Sequence, residues 1–423
     1  MTTPAPTRYD VIVIGAGIAG VCAALSLQSR GAKVALIDEA QPGSGASFGN
    51  AGIVVNTNLR PVFAGMTPAV LLGMLRNPAS PLNVRWSRFP AMVPWFLKML
   101  SHAGPAEVDR ITKALASLCQ PGAGLYEEMW QAAGAGDLVE AKGNIALNLS
   151  EAERDAHWEK LGQLRAMGVG MEKLDRADLA RLVPTVSDRY THGIYSPAYK
   201  HALDPQLLIT RMVDLFLSQK GEWINARVLD ITTEGGRVTG VRTPGATVAG
   251  DRVVVAAGTA SAGLAKRMGE PVPHQAVGGY HVMIRNPGVT LDRPILPIDF
   301  RFAITPMGDA IRLAGIYEFG GEGMPFRTDL INNMLSHITR VLPGIRTSDT
   351  SMWRGFRSYL PDGLPIISAS SRTEGLFYLF GFSSSGMING ATAGKAMAAL
   401  ATGAQPDIDL APFALKRFIK GGR

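Results

Sequence analysis

The sequence predicts an α/β protein of two interleaved domains, and three features carry that prediction. A β-branched run at residues 9–14 (YDVIVI) ends at a glycine-rich turn, GAGIAG at 15–20. A second run of the same character, RVVVAA at 252–257, stops at Gly258 far along the chain. Between them lies sequence of a different kind, rich in Trp, Met and helix formers and then in alternating strand-like segments. At 423 residues the chain exceeds one ordinary core, since single domains usually run about 100–200 residues.

The opening unit is the most explicit. A short apolar β-branched run reads as a buried parallel strand. Residues 18–30 follow with apolar Ile18, Val21, Cys22, Leu25 and Leu27 and stop at Gly31, as a helix does. A second strand at 33–37 completes a βαβ unit, the context that separates a dinucleotide fingerprint from a chance glycine pattern. Gly15 permits the tight turn, Gly17 lets backbone approach a pyrophosphate, and Gly20 lets helix and strand pack closely. Asp38 ends the second strand, where a carboxylate accepts hydrogen bonds from a ribose diol and repels a 2′-phosphate, so FAD or NAD is favoured over NADP. Glu39 is a second candidate for that role, with an exposed neighbour as the plainer reading.

A glycine, serine and asparagine loop at 43–52 leads into the middle region. Strand-like alternation recurs at 143–149, 193–196, 223–231 and 238–242, with a helical stretch at 204–219, and residues 278–341 read as strand-rich. A last buried strand at 376–380 (LFYLF) precedes GFSSSGMING and a helix-forming run at 391–400. The first domain is therefore assembled from residues 1–57, 200–268 and 350–423, and the second from 58–199 and 269–349. The first is Rossmann-like. The second is an α+β substrate or cap domain with a mixed or antiparallel sheet.

Composition narrows the function. Hydrophobic content of 46% with 18% charged residues is that of a packed chain rather than a disordered one. The charge of +7 would attract anions, but Lys and Arg are scattered, except for the tail Lys416, Arg417, Lys420 and Arg423, which reads as a solvated terminus. No zinc-finger spacing or RNA-binding aromatic signature is present, which argues against nucleic acid. Two cysteines, Cys22 and Cys119, rule out a disulfide framework and any CxxC or metal spacing. A reducing cytoplasm fits best. No apolar run reaches the length of about 18 that a membrane span needs. The apolar segment 89–100 (FPAMVPWFLKML) reads as a cap-domain core helix, with peripheral contact at the inner face of a membrane as the other reading.

Two later motifs bear on chemistry. The segment 381–400 (GFSSSGMINGATAGKAMAAL) reads as a strand, a small-residue turn and a helix whose free amides would point at an electron-rich group; on a flavin that would be the N1/C2=O edge. WRGFRSYLPDGLPIIS at 353–368 places Trp353, Gly355 and Arg357 on alternate strand positions, before a Pro-Asp-Gly turn. A guanidinium there could take a carboxylate through two parallel bonds, though an arginine of this kind is most often a surface residue.

In their order, VIVIGAGIAG with Asp38, ASFGNAG at 46–52, PWFLKML at 94–100, VVVAAG at 253–258, GGYH at 278–281, ITPMGDAIRLAGIYEF at 304–319, the Arg357 segment and the GFSSSGM turn resemble the DAO-type FAD-dependent amine oxidoreductases, near D-amino-acid dehydrogenase and glycine oxidase. The resemblance covers nearly the whole chain. It implies a glutathione-reductase-type FAD-binding domain and hydride transfer from an amine-bearing carbon to flavin N5. By it, Arg357 matches the arginine that grips the substrate carboxylate. Ser47, Asn50, Ala51 and Gly52 match the loop beside flavin and pyrophosphate, Gly258 the turn after the returning strand, and Val228 the position whose backbone meets adenine. Ile18, Ala19, Ile53, Ala257, Gly386, Met387 and Ile388 are the further cofactor contacts it implies.

The chain also departs from the pattern. Gly278 and Gly279 stand where relatives carry an arginine before GYH, Phe382–Ser385 replaces a histidine-bearing turn, and Tyr359 replaces a small threonine. Tyr280, His281 and Tyr359 are candidates for lining the substrate pocket, with packed core residues as the alternative. No histidine stands in the 46–52 loop and neither cysteine is placed for attachment, so FAD is expected to be non-covalent. The expected substrate is a small carboxylate-bearing amine, a D-amino acid or cyclic imino acid; the acceptor is a quinone, a carrier or oxygen. An amino-acid oxidase and a catalytically silent FAD-binding subunit are the competing readings.

Overall fold

The computed structural model describes residues 7–54, 61, 63–76 and 82–419. β1 (Arg8–Ile14), α1 (Ile18–Gln28) and β2 (Val34–Asp38) form the expected unit. β1 pairs in parallel with β2 on one side and with Thr247–Val255 on the other, so the second β-branched run does return to the first sheet. Glu222–Asn225 extends the parallel sheet beyond β2, and Leu376–Phe380 extends it beyond Thr247–Val255. Val11, Ile12, Val13, Val253, Val254 and Val255 are fully buried, as strands covered on both faces require. Ile14 lies opposite Ile37 and Val255, and Val255 opposite Tyr378, so four strands end level at their carboxyl ends. That edge is where open parallel sheets bind ligands.

One face of this sheet is covered by α1 and the helix Gly386–Ala401, which pack almost backbone to backbone. A Cβ on Gly394 would lie 2.7 Å from the Ala23 nitrogen and 2.8 Å from the Cys22 Cβ. The long helix Pro105–Ala132 packs against Gly386–Ala401 in the same core, through Gly122, where a Cβ would lie 2.8 Å from the Ile388 carbonyl oxygen, and Tyr126, whose hydroxyl donates to the Gly386 carbonyl at 3.3 Å.

The second sheet has ten strands and is mostly antiparallel, with two parallel pairs. Its centre is the long strand Gln275–Ile284, which pairs with Thr350–Tyr359 on one side and with Ala310–Ala314 and Tyr317–Phe319 on the other. Helix Thr328–Val341 buries Leu330, Ile331, Met334, Ile338 and Val341 in the core of this second domain. A small three-stranded sheet joins Ile53–Val54, Lys200–Ala202 and Val139–Glu140.

Several elements differ from the sequence reading. Residues 223–231 form two strands, Glu222–Asn225 and Asp230–Glu234, on opposite edges of the first sheet. The chain must cross between those edges, so 226–229 run outside any strand and carry Val228 with them. The strand-rich 278–341 ends in a helix whose apolar residues recur at helical spacing. The terminal helix starts at Gly386 rather than 391. Thr350–Tyr359, read as part of the first domain, is hydrogen-bonded along its whole length to the second sheet. Arg417 is not a solvated tail residue: its Nε donates to Asp362 Oδ2 at 2.7 Å and its Nη2 to the Leu364 carbonyl at 2.8 Å. Lys420 and Arg423 lie outside the described residues. Segment 89–100 is a helix, Phe89–Ser101, burying Met92, Trp95, Phe96 and Met99.

Candidate active site

A cavity of about 1150 Å³ opens at the carboxyl ends of the parallel strands and runs to the second sheet. Its first end is built by the glycine turn. Gly15 has φ +107°, a backbone conformation that side chains rarely adopt, and a Cβ there would lie 2.4 Å from the Ala256 carbonyl oxygen. A Cβ on Gly20 would lie 1.9 Å from the Gly15 carbonyl oxygen, so Gly20 serves packing and does not line the cavity. Gly17 is the one that faces it: a Cβ there would meet only Ser47 Oγ, at 3.4 Å. Gly15, Gly17, Ile18 and Ala19 all line the cavity at the positive end of the α1 dipole. A backbone cradle at a helix start, kept open by a missing Cβ, fits the pyrophosphate of a dinucleotide.

Asp38 also lines the cavity, and its carboxylate organises the turn. Oδ2 accepts from the Ala16 N–H at 2.8 Å and Oδ1 from the Ala40 N–H at 3.0 Å. Glu39 is exposed beside it, 3.9 Å from Arg227. Val228 and Ala257 and Gly258 complete this end, and Gly386, Met387 and Ile388 bring the start of the second helix to the cavity.

The 46–53 loop crosses the cavity wall. Ser47 Oγ accepts from the Ile18 N–H at 3.2 Å, tying the loop to α1. Ser47, Asn50, Ala51 and Ile53 line the cavity, whereas Gly52 does not. Gly52 turns away at φ +73°, where its carbonyl accepts from the Ala202 N–H at 2.8 Å and Asn50 Oδ1 accepts from its own N–H. Arg312, unmarked in the sequence reading, holds this loop from behind. It is 3% exposed, donates from Nη1 to the Phe48 and Asn50 carbonyls at 2.8 and 2.7 Å, and burial lowers its pKa to about 10. A lone charge between Ile311 and Leu313 reads as solvent-facing in sequence, and only the loop packed over that face shows otherwise.

Arg357 lines the far end with Trp353, on the shared strand face that alternation predicts. Its Nη1 donates to the Ile316 carbonyl at 3.2 Å and its guanidinium lies 5.2 Å from the Tyr317 ring centre. Tyr317, Arg354 and Glu322 line the same region and carried no sequence signal. Thr259 Oγ1 donates to Glu322 Oε1 at 2.6 Å, joining the first domain to the second at the cavity rim.

The three other pocket candidates are packed residues and do not line the cavity. Tyr280 is 1% exposed and donates to Glu318 Oε2 at 2.6 Å; burial and that carboxylate raise its pKa. His281 stacks on Trp353 at 5.0 Å and also contacts Phe48. Burial, with Arg312 and Arg357 nearby, pushes its pKa down to about 3, so it is neutral. Tyr359 lies behind Tyr317 with ring centres 6.3 Å apart, and burial raises its pKa. Among the described residues no group of His, Cys, Asp and Glu is arranged to hold a metal, and no helix is long and apolar enough to cross a membrane.

A glycine cradle at the ends of a parallel sheet, sharing one cavity with an arginine on a second sheet, defines a dinucleotide-dependent enzyme of the α/β class. The chain belongs to the DAO family of FAD-dependent oxidoreductases, whose model matches residues 10–400. FAD is its cofactor. It is similar to a D-amino-acid oxidase of Bradyrhizobium diazoefficiens, 30% identical over 423 residues, covering 98% of this chain and all of that one. A D-amino acid dehydrogenase of Rhizobium rhizogenes is 28% identical over 421 residues, covering 96% and 99%. The fold matches a solved glycine oxidase from Geobacillus kaustophilus with a TM-score of 0.74 and 23% identity, over 97% of this chain and 99% of that one.

Proposed function

We propose that this protein dehydrogenates a small amine bearing a carboxylate, of the D-amino-acid or cyclic imino-acid type. FAD, held non-covalently, supplies the hydride acceptor. The observation that carries the reading is Arg357: its guanidinium lines the cavity that begins at Gly17, and its hydrogen bond to Ile316 occupies one of its five N–H donors. Planar, paired donors suit a carboxylate. Gripping that group at one end would turn the amine-bearing carbon toward the cofactor, which is how positioning lowers a barrier. Tyr317 flanks the guanidinium and Trp353 walls the same end. At the other end the starts of α1 and of Gly386–Ala401 favour negative charge, which suits the pyrophosphate and the reduced ring.

Non-covalent binding is supported by the cavity wall, which has no histidine or cysteine among the described residues. Cys119 lies behind it, donating to Asn389 Oδ1 at 2.9 Å. Cytoplasmic location is the reading that the two unpaired cysteines support, and peripheral contact at the inner membrane face is the alternative, resting on exposed Trp86 and Leu97 beside the helix Phe89–Ser101. The named relatives include both an oxidase and a dehydrogenase, so the acceptor is oxygen, a quinone or a carrier, and peroxide yield in air separates the first from the others.

The test is anaerobic bleaching of the flavin band by a panel of D-, L- and cyclic amino acids, repeated with Arg357→Ala. We expect at least one carboxylate-bearing amine to reduce the wild type. Loss of a charged hydrogen bond is worth about 1.5–3 kcal/mol, so Arg357→Ala should raise KM by about 10–150-fold. No bleaching by any member, or an unchanged KM in the variant, would sink the proposal.

A further inference from the structure

We infer that Gly279 is a positioning residue for the carboxylate-binding end of the cavity: its missing side chain lets Arg357 lie across the neighbouring strand, and so sets where a substrate carboxylate is held. The inference rests on the carboxylate reading of Arg357.

Gln275–Ile284 and Thr350–Tyr359 are antiparallel, with Val277 opposite Arg357, Gly279 opposite Gly355 and His281 opposite Trp353. These six residues share one face, because alternate residues of paired strands point the same way. Two glycines facing each other at its centre leave a hollow. From one side Arg357 fills it, crossing Gln275–Ile284 to reach the Ile316 carbonyl beyond that strand. Neighbouring strands lie about 4.8 Å apart, so this path covers two gaps and stays low against the sheet. A Cβ on Gly279 would stand in it, 2.2 Å from Arg357 Nη1, 2.4 Å from Cζ and 2.7 Å from Nη2. From the other side Trp353 fills the hollow over Gly355, where a Cβ would lie 2.1 Å from its Cη2.

Gly278 points to the other face. The three atoms nearest a Cβ there would all belong to Glu318, the first at 3.3 Å. With a side chain at 279, the guanidinium must leave the sheet and rise into the cavity, into space that the substrate's carbon chain would use. Gly279 therefore controls both the strength of carboxylate binding and the chain length accepted.

The test uses purified FAD-loaded enzyme and straight-chain carboxylates from acetate to hexanoate, which carry no amine to oxidise, with binding followed as a perturbation of the flavin spectrum. Gly279→Ala should weaken their binding at least tenfold and most for the longest, with FAD content and thermal midpoint close to wild type. Gly278→Ala should change binding less than twofold. In an Arg357→Lys background, Gly279→Ala should add less than twofold. Wild-type binding by Gly279→Ala, an equal loss in the Arg357→Lys background, or release of FAD overturns the inference. If Arg357→Lys and Arg357→Ala themselves bind carboxylates like wild type, the carboxylate reading fails instead.

Discussion

Arg312 donates a 2.7 Å hydrogen bond to the carbonyl of Asn50, across a stretch of the chain that joins the second sheet to the loop beside the cofactor cradle. The same nitrogen reaches Phe48. A buried cation thus holds two carbonyls of a loop that lies outside any helix or strand. Truncating it leaves two carbonyls without that donor, at about 1–3 kcal/mol each. Arg312→Met should lower the unfolding free energy by about 2–6 kcal/mol and weaken FAD retention, read by denaturant unfolding and by flavin fluorescence on dilution. Stability within about 0.5 kcal/mol of wild type would show that the loop holds itself.

Asp38 has a double duty. Its carboxylate accepts the Ala16 and Ala40 N–H groups, and it lines the cavity where a ribose diol would sit. Asp38→Ala removes the turn's acceptor together with the diol's. The FAD dissociation constant should rise at least about tenfold, since one charged hydrogen bond is worth about 1.5–3 kcal/mol. Titration of apoprotein with FAD checks this, and an unchanged constant would reject both duties.

Gly394→Ala should push two helices apart. The added Cβ would sit 2.7 Å from Ala23 and Cys22 backbone atoms, and overpacking typically costs about 1–3 kcal/mol. Both helices begin at the cavity, so FAD affinity should fall with stability. Thermal midpoints of the apo and FAD-loaded forms measure the two effects. A loss confined to one form would separate packing from cofactor binding.

Acid should destabilise the fold through its buried histidines. Burial holds His201 at about 4 and His281 at about 3, below the unfolded value of about 6.5. Above pH 6.5 neither state is charged and nothing is lost. As pH falls below 6.5 the unfolded chain binds protons that the folded one does not, and stability declines until the folded values are reached. At pH 5 the loss is about 2 kcal/mol for each histidine. Chemical denaturation of His281→Asn at pH 7 and pH 5 should show a smaller decline than wild type by that amount; parallel declines would refute it.

Legibility followed sequence distance. The βαβ unit, Asp38 and the returning strand could be read directly, because their requirements are local: β-branched runs, glycines at fixed spacing, an acidic strand end. The cavity gathers most of the expected cofactor residues, including Gly17, Ser47, Val228 and Met387. Gly20 and Gly52 proved to serve packing and turning. Tyr280, His281 and Tyr359 stand near the cavity in sequence but are packed away from it: Tyr280 in the second-domain core, His281 between Phe48 and Trp353, and Tyr359 behind Tyr317.

The chain's own order of residues was enough to specify a dinucleotide cradle and to bring Arg357 and Trp353 onto one strand face, since helix and strand periodicity need no distant partner. It could not specify where Arg357 points, that Arg312 is buried, or that Glu322 meets Thr259. Those depend on which strands become neighbours. Gly279 is an ordinary glycine until Thr350–Tyr359 is laid beside it, because only that pairing puts a guanidinium where its Cβ would be.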